Sequence, residues 1–198
     1  AANCGGCGQV CDGTCIDGRC CDEGLGSSVD ILFMIDNSNS MAEEQISLAQ
    51  ELPRIVSVLA SGDLDGDGVA ERPAVRDLHL GVVTSDMGVG GANTPTCVKA
   101  TFGDDGVLRT QGASGLANCM ASYPRFIEFR PGSTPAAVAA QFECVAYTGT
   151  GGCGFEQQLE AVLKAVTPST SPIRFFQNTT GHSDGANAGF LRPDSVFA

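Results

Sequence analysis

The sequence predicts an α/β fold, an open sheet flanked by helices, with a small disulfide-rich appendage at its N-terminus. Three observations predict it. Val29, Ile31, Leu32, Phe33, Met34 and Ile35 form a near-continuous apolar run, the pattern of a strand buried on both faces. Met41 to Ala60, following a burst of polar residues, carries apolar side chains at helical spacing. Leu78 to Ser85, LHLGVVTS, then reads as a second strand.

Size and charge bound the function. The chain has 198 residues, room for one domain of ordinary size and an appendage. Asp and Glu number 23 against 11 Lys and Arg, a formal charge of −12. That balance argues against nucleic-acid or anionic-membrane partners, which need basic patches. No stretch has the length of a membrane-spanning helix. The chain opens with Ala1-Ala2, which is what removal of a signal peptide, or another cleavage, leaves.

Residues 1–26 form the appendage. Cys4, Cys7, Cys11, Cys15, Cys20 and Cys21 alternate with glycines and lack apolar periodicity. So short a segment cannot build a core and must be held by crosslinks. Cys4-x-x-Cys7 also has the spacing of a zinc knuckle, but no His lies in the cluster. Four further cysteines, Cys97, Cys119, Cys144 and Cys153, bring the count to ten. An even number in this pattern favours disulfides, hence a secreted or cell-surface protein. The expected pairs outside the appendage are Cys97 with Cys119 and Cys144 with Cys153.

The main domain spans residues 27–198. Its first strand ends in Asp36-Asn37-Ser38-Asn39-Ser40, directly before a helix. In open α/β sheets that edge is where ligands bind. Asp36, Ser38 and Ser40 can turn toward one point, and a carboxylate with two hydroxyls suits Mg²⁺, Ca²⁺ or Mn²⁺. The plainer alternative makes Ser40 or Asn39 an N-cap.

VDILFMIDNSNSM, residues 29–41, resembles the first strand and metal-ion-dependent adhesion site of a von Willebrand factor A domain. The resemblance implies a Rossmann-like three-layer sandwich, incomplete in this chain. It implies a divalent cation, Mg²⁺ or Mn²⁺, on Asp36, Ser38 and Ser40, completed by a Thr and an Asp from two further loops and by a carboxylate of a protein partner. The layout is similar to that of secreted bacterial Cys-rich proteins.

The first helix carries Glu43 and Glu44 in its first turn, where they favour the helix dipole. Pro53 is expected to kink or split it, and Gly62 to end it. An insertion at 61–77 follows. In SGDLDGDGVAERP, Asp63, Asp65, Asp67, Val69 (through its carbonyl) and Glu71 fall on calcium-loop positions, with Gly68 at the sharp turn. The twelfth position is Ala74, not Glu, leaving Asp77 as a substitute. A solvated acidic turn is the alternative. Aspartates so crowded repel one another without a cation, so Ca²⁺ in a structural role is expected.

In the second strand, His79 is expected on the surface. Asp86 lies at the strand's C-terminal end, on the same side as Asp36, and is read as a further ligand of that site. A long loop at 86–124 follows, rich in Gly, Asn and Thr, where Asp104-Asp105-Gly106 reads as a plain turn. Loops of this length at a ligand-binding edge often carry function. RFIEFR, 125–130, reads as an edge strand, and Pro135 to about Tyr147 as a helix. Phe155 to Val166 reads as another, with Phe155, Leu159, Val162, Leu163 and Val166 facing inward. Just before it the family supplies its Thr; alignment on Leu159 puts Cys153 there, with Thr150 and Glu156 nearby. Glu156 is either a substitute ligand or a favourable first-turn charge.

Residues 167–194 are polar and rich in Pro and Gly, with a glycosylation sequon at Asn178. Ser195 to Ala198 reads as a strand beginning. Against the family's sheet, later strands are missing, so a second chain or cleaved fragment is expected to complete it, the alternatives being that this sequence is only a portion of the domain or that another protein's strand completes it. The expected function is an extracellular, divalent-cation-dependent protein-binding module. The alternative is a structural subunit or cleaved fragment of a multi-chain assembly, with metal serving stability alone. An enzyme is the least favoured reading, because no Ser-His-Asp arrangement stands out.

Overall fold

The computed structural model describes residues 28–193, together with four two-residue strands nearer the N-terminus. Those strands pair antiparallel, β1 (Ala2–Asn3) with β2 (Val10–Cys11) and β3 (Cys15–Ile16) with β4 (Arg19–Cys20). The expected crosslinks of Cys4, Cys7, Cys11, Cys15, Cys20 and Cys21, and the strand expected at 195–198, lie outside the described residues.

The main sheet has three strands in the order β5-β6-β7. β5 (Ser28–Ile35) runs parallel to β6 (Asp77–Thr84), from Ser28 opposite Asp77 to Ile35 opposite Thr84. β7 (Ile127–Phe129) lies antiparallel to β6 on its other side. Alternation sorts the side chains into two layers. Ile31, Phe33 and Ile35 of β5, with Leu78, Leu80 and Val82 of β6, face α1 (Ala42–Ser61) and α2 (Pro135–Ala146). Leu32, Met34 and Val83 face α3 (Gln158–Val166) and the returning Phe190 and Leu191. The result is a mixed α/β architecture, helices covering both faces of a small mixed sheet.

β6 is buried from Leu78 to Thr84, as a central strand must be. β5 is not. Only Ile35 is fully buried, and Val29 to Met34 stay half-exposed. The expectation of burial on both faces fails because no strand among the described residues pairs with the outer edge of β5.

α1 buries Gln45, Ala49, Leu52 and Val56, one stripe at helical spacing. Pro53 does not split it. Leu52 and Val56 anchor both sides of the proline in the core, and that packing outweighs the lost backbone bond. Gly62 closes the helix at φ 75°, its N–H donating to the Val58 carbonyl at 2.8 Å. A Cβ there would strike the Arg72 carbonyl, so only glycine fits.

Several expectations need correction. α3 starts at Gln158, and Phe155, Leu159 and Leu163 point outward, Leu159 being 87% exposed. The helix buries Ala161, Lys164 and Ala165 instead. The small alanines admit the loop at Gly106, where a Cβ would strike the Ala161 carbonyl. His79 is buried, not on the strand surface, because the returning chain covers that face. Its Nδ1 lies 2.7 Å from the Phe190 carbonyl and its ring stacks obliquely on Phe126. Asp104-Asp105-Gly106 is no plain turn. Asp105 pairs with buried Lys164 at 2.6 Å and with His182 at 3.0 Å.

Among the described residues the disulfides are Cys97–Cys153 and Cys119–Cys144, not the sequence-adjacent pairs. Two contacts explain this nested pairing, in which Cys119–Cys144 lies inside the Cys97–Cys153 loop. Thr96 packs beside Gly154, and Ala113 N–H donates to the Cys144 carbonyl at 2.8 Å. The 86–124 loop is thereby tied at one point to the loop before α3 and at another to the end of α2.

Candidate metal centres

The strand-to-helix loop after β5 is built from short-range bonds. Asp36 leaves the strand, and its Oδ1 accepts from Ser38 N–H at 2.8 Å and from Ser85 Oγ–H at 2.9 Å. Both donors meet the same oxygen; Oδ2 accepts no hydrogen bond from the described residues. Ser38 is 3% exposed, and its Oγ has no partner among them. Ser40 is exposed. A buried hydroxyl left unpaired costs about 1–3 kcal/mol. Here it stands two residues from Asp36, whose Oδ2 accepts nothing from the described residues. That donor set, hard oxygens with spare lone pairs, fits a small divalent cation.

Gln45 of α1 locks a second loop beside the first. Its Nε2 donates to the carbonyls of Asp36 and Gly149, both at 2.8 Å, and its Oε1 accepts from Gly149 N–H at 3.0 Å. Gly152 N–H donates to the Asn37 carbonyl at 2.8 Å, and a Cβ on Gly152 would collide with the Asn37 amide. Thr148 and Thr150 flank Gly149, so hydroxyl-bearing residues sit on a loop pinned to the Asp36 loop. Sequence alone did not reveal Gln45, because an amide on a helix stripe looks like any half-buried polar residue.

Asp86 and Glu156 meet on the same edge, through an antiparallel backbone bridge. Asp86 is buried, but its Oδ1 accepts from Gly88 N–H at 2.9 Å and its carbonyl accepts from Asp104 N–H at 2.7 Å. These contacts direct it toward the 86–124 loop. Glu156 is exposed. Asp104, missed in the sequence, does reach the Asp36 loop. Its Oδ2 accepts from Thr84 Oγ–H at 2.8 Å and from Asn37 Nδ2–H at 3.3 Å. Lys99 and Arg109 add positive charge around it.

The acidic loop after α1 brings Asp63, Asp65, Asp67 and Glu71 together, with ligand oxygens within 4.8 Å of one another. Backbone amides turn the carboxylates inward. Gly66 and Gly68 N–H donate to Asp63 at 2.6 and 2.9 Å, Val69 N–H to Asp67 at 2.8 Å, and Leu64 N–H to Glu71 at 2.7 Å. Gly66 and Gly68 have φ of 82° and 91°, which a side chain would resist. Asp77 does not close this loop, since it pairs with Arg192 at 2.5 Å.

Of the ionisable groups nearby, Asp105 stands out. Burial pushes its pKa up, but hydrogen bonds and charge from His182 and Lys164 outweigh that and hold the carboxyl below the usual range. Comparison with protein-family models, curated proteins and solved structures finds no match. The resemblance to a von Willebrand A domain therefore rests on the Asp36 loop and its strand-loop-helix setting alone.

Proposed function

We propose that the chain is an extracellular module that binds a protein partner through a divalent cation. The cation, Mg²⁺ or Mn²⁺, sits on Asp36, Ser38 and Ser40, with a partner carboxylate completing its shell. The observation that carries this reading is the buried Ser38 hydroxyl, unpartnered among the described residues, on the same short loop as Asp36, whose Oδ2 accepts no hydrogen bond from them. Glu156 is the exposed carboxylate on the same edge and the next candidate ligand, ahead of Asp86, whose side chain is already engaged. A Ca²⁺ ion on Asp63, Asp65, Asp67 and Glu71, with the Val69 carbonyl, pins the connection from α1 to β6. Both histidines are held in structural contacts, which favours binding over hydrolytic catalysis.

Two disulfides fit an oxidising, extracellular setting. No helix among the described residues is long and apolar enough to cross a membrane. Calorimetric titration with Mn²⁺, in a chain whose acidic loop is disabled by Asp63→Asn and Asp67→Asn, tests the central claim. One site should remain and vanish in Asp36→Ala. Binding that survives Asp36→Ala removes the adhesion reading.

A second reading has its own support. Among the described residues, the outer edge of β5 has no strand partner, and half-exposed apolar side chains lie beside it. A strand from a second chain or fragment would pair there. On this reading the protein is a structural piece of a larger extracellular assembly. Cation-independent association blocked by a proline within β5 supports it over the first.

A further inference from the structure

We infer that a pocket beside the Asp36 edge receives a lysine or arginine side chain of the protein partner. The inference rests on the proposed protein-binding function and adds the partner's chemistry. The pocket, of about 280 Å³, opens just past the end of β6. Met87, Val89 and the Phe176 ring line it with apolar surface, and Gln157, Glu160 and Asp105 add polar groups. Two successive hydrogen bonds link it to the Asp36 loop. Gln157 N–H donates to the Ser85 carbonyl at 2.9 Å, and Ser85 Oγ–H donates to Asp36.

Each lining group favours a long cationic side chain. Apolar walls cover methylenes while a charged tip stays near water. Phe176 is 43% exposed and is held edge-on against Phe102, with ring centroids 5.7 Å apart. The exposed part of this ring suits an ammonium or guanidinium. The protein already uses this chemistry internally, since Lys164 Nζ sits 5.4 Å from the Phe175 ring centroid. Asp105 is neutralised by Lys164 and His182. Glu160 is different: it is exposed and makes no hydrogen bond or ion pair with the described residues. It is the uncompensated charge of the pocket. Gln157 Nε2–H is committed to the Gly88 carbonyl at 3.0 Å, so its amide is oriented and its oxygen is left to accept. An anion would find no cation in the lining, because Lys164 is fully buried and engaged.

The experiment is an NMR titration of the full chain with agmatine, a guanidinium on a four-carbon stem, in Mg²⁺-containing buffer. Saturable shifts are expected at residues 87–90 and 157–160. Glu160→Gln and Phe176→Ala should each weaken binding about tenfold; both positions are exposed, so neither change should disturb folding. Asp36→Ala should leave agmatine binding unchanged. Shifts that never saturate, or binding untouched by Glu160→Gln, overturn the inference. So does equal binding of butanol, which would make the pocket merely apolar. Failure here with Mn²⁺ binding intact removes the pocket and spares the metal reading. Loss of Mn²⁺ binding with agmatine binding intact does the reverse.

Discussion

Ser38 shows how one atom can carry a functional argument. Its hydroxyl is buried, and folding alone gives it nothing to bond. Ser38→Ala should therefore leave the cation-free chain as stable as before, or stabilise it by up to about 1 kcal/mol. The same change should abolish the rise in melting temperature on adding Mn²⁺ to a chain lacking the acidic loop. Scanning calorimetry with and without the ion reads both. Asp105 makes the opposite case, a residue that folding does use. Its carboxyl titrates below the ordinary range because Lys164 and His182 face it. Its contribution is complete above the unfolded pKa of about 3.9 and is lost as pH falls through the lower folded value. Asp105→Asn should cost about 3 kcal/mol at pH 7, the lower end for breaking a buried pair because Asp105 is partly wet. It should also flatten the stability loss below pH 4 in urea titrations. The turn that ties Ser38 N–H to Asp36 Oδ1 was legible in the sequence because it is set within three residues. Asp104, Asp105 and Gln45 were not, because their partners lie at Thr84, Lys164 and Gly149, which only the fold brings near.

At the scale of elements, the strands and helices were legible nearly to their ends, since period and capping are local. The orientation of α3 was not. Its sequence has two apolar-looking faces, and the alanine face wins because Gly106 can approach it closely. β5 was read as fully buried from its composition, but composition cannot say how many neighbours a strand has. A strand paired on one side should protect its amides by alternation. Hydrogen exchange along Val29 to Ile35 is expected to show slow amides facing β6 and fast ones facing outward, a period of two. Uniform protection along the strand would mean that a further strand is already paired there.

For the whole molecule, topology of the crosslinks matters more than their number. Pairing neighbours in sequence would have closed two small loops. The nested pairs instead close loops spanning 56 and 25 residues, one inside the other. By loop-closure entropy each is worth about 3.5–4 kcal/mol. Peptide mapping without reduction should recover Cys97 joined to Cys153 and Cys119 joined to Cys144; peptides joining Cys97 to Cys119 would refute this arrangement. The net charge of −12 suits cation capture and a partner bearing positive side chains.

The ion pairs of Arg192 carry one more consequence. Its backbone N–H and guanidinium hold Asp30, and the guanidinium also holds Asp77, so the last described turn is fastened where β5 and β6 begin. Tension applied between residues 28 and 193 would therefore load that end of the sheet first. The Asp36 loop lies at the opposite end, outside the path of the force. An adhesive contact made there could stay shaped for its partner while the molecule is being pulled.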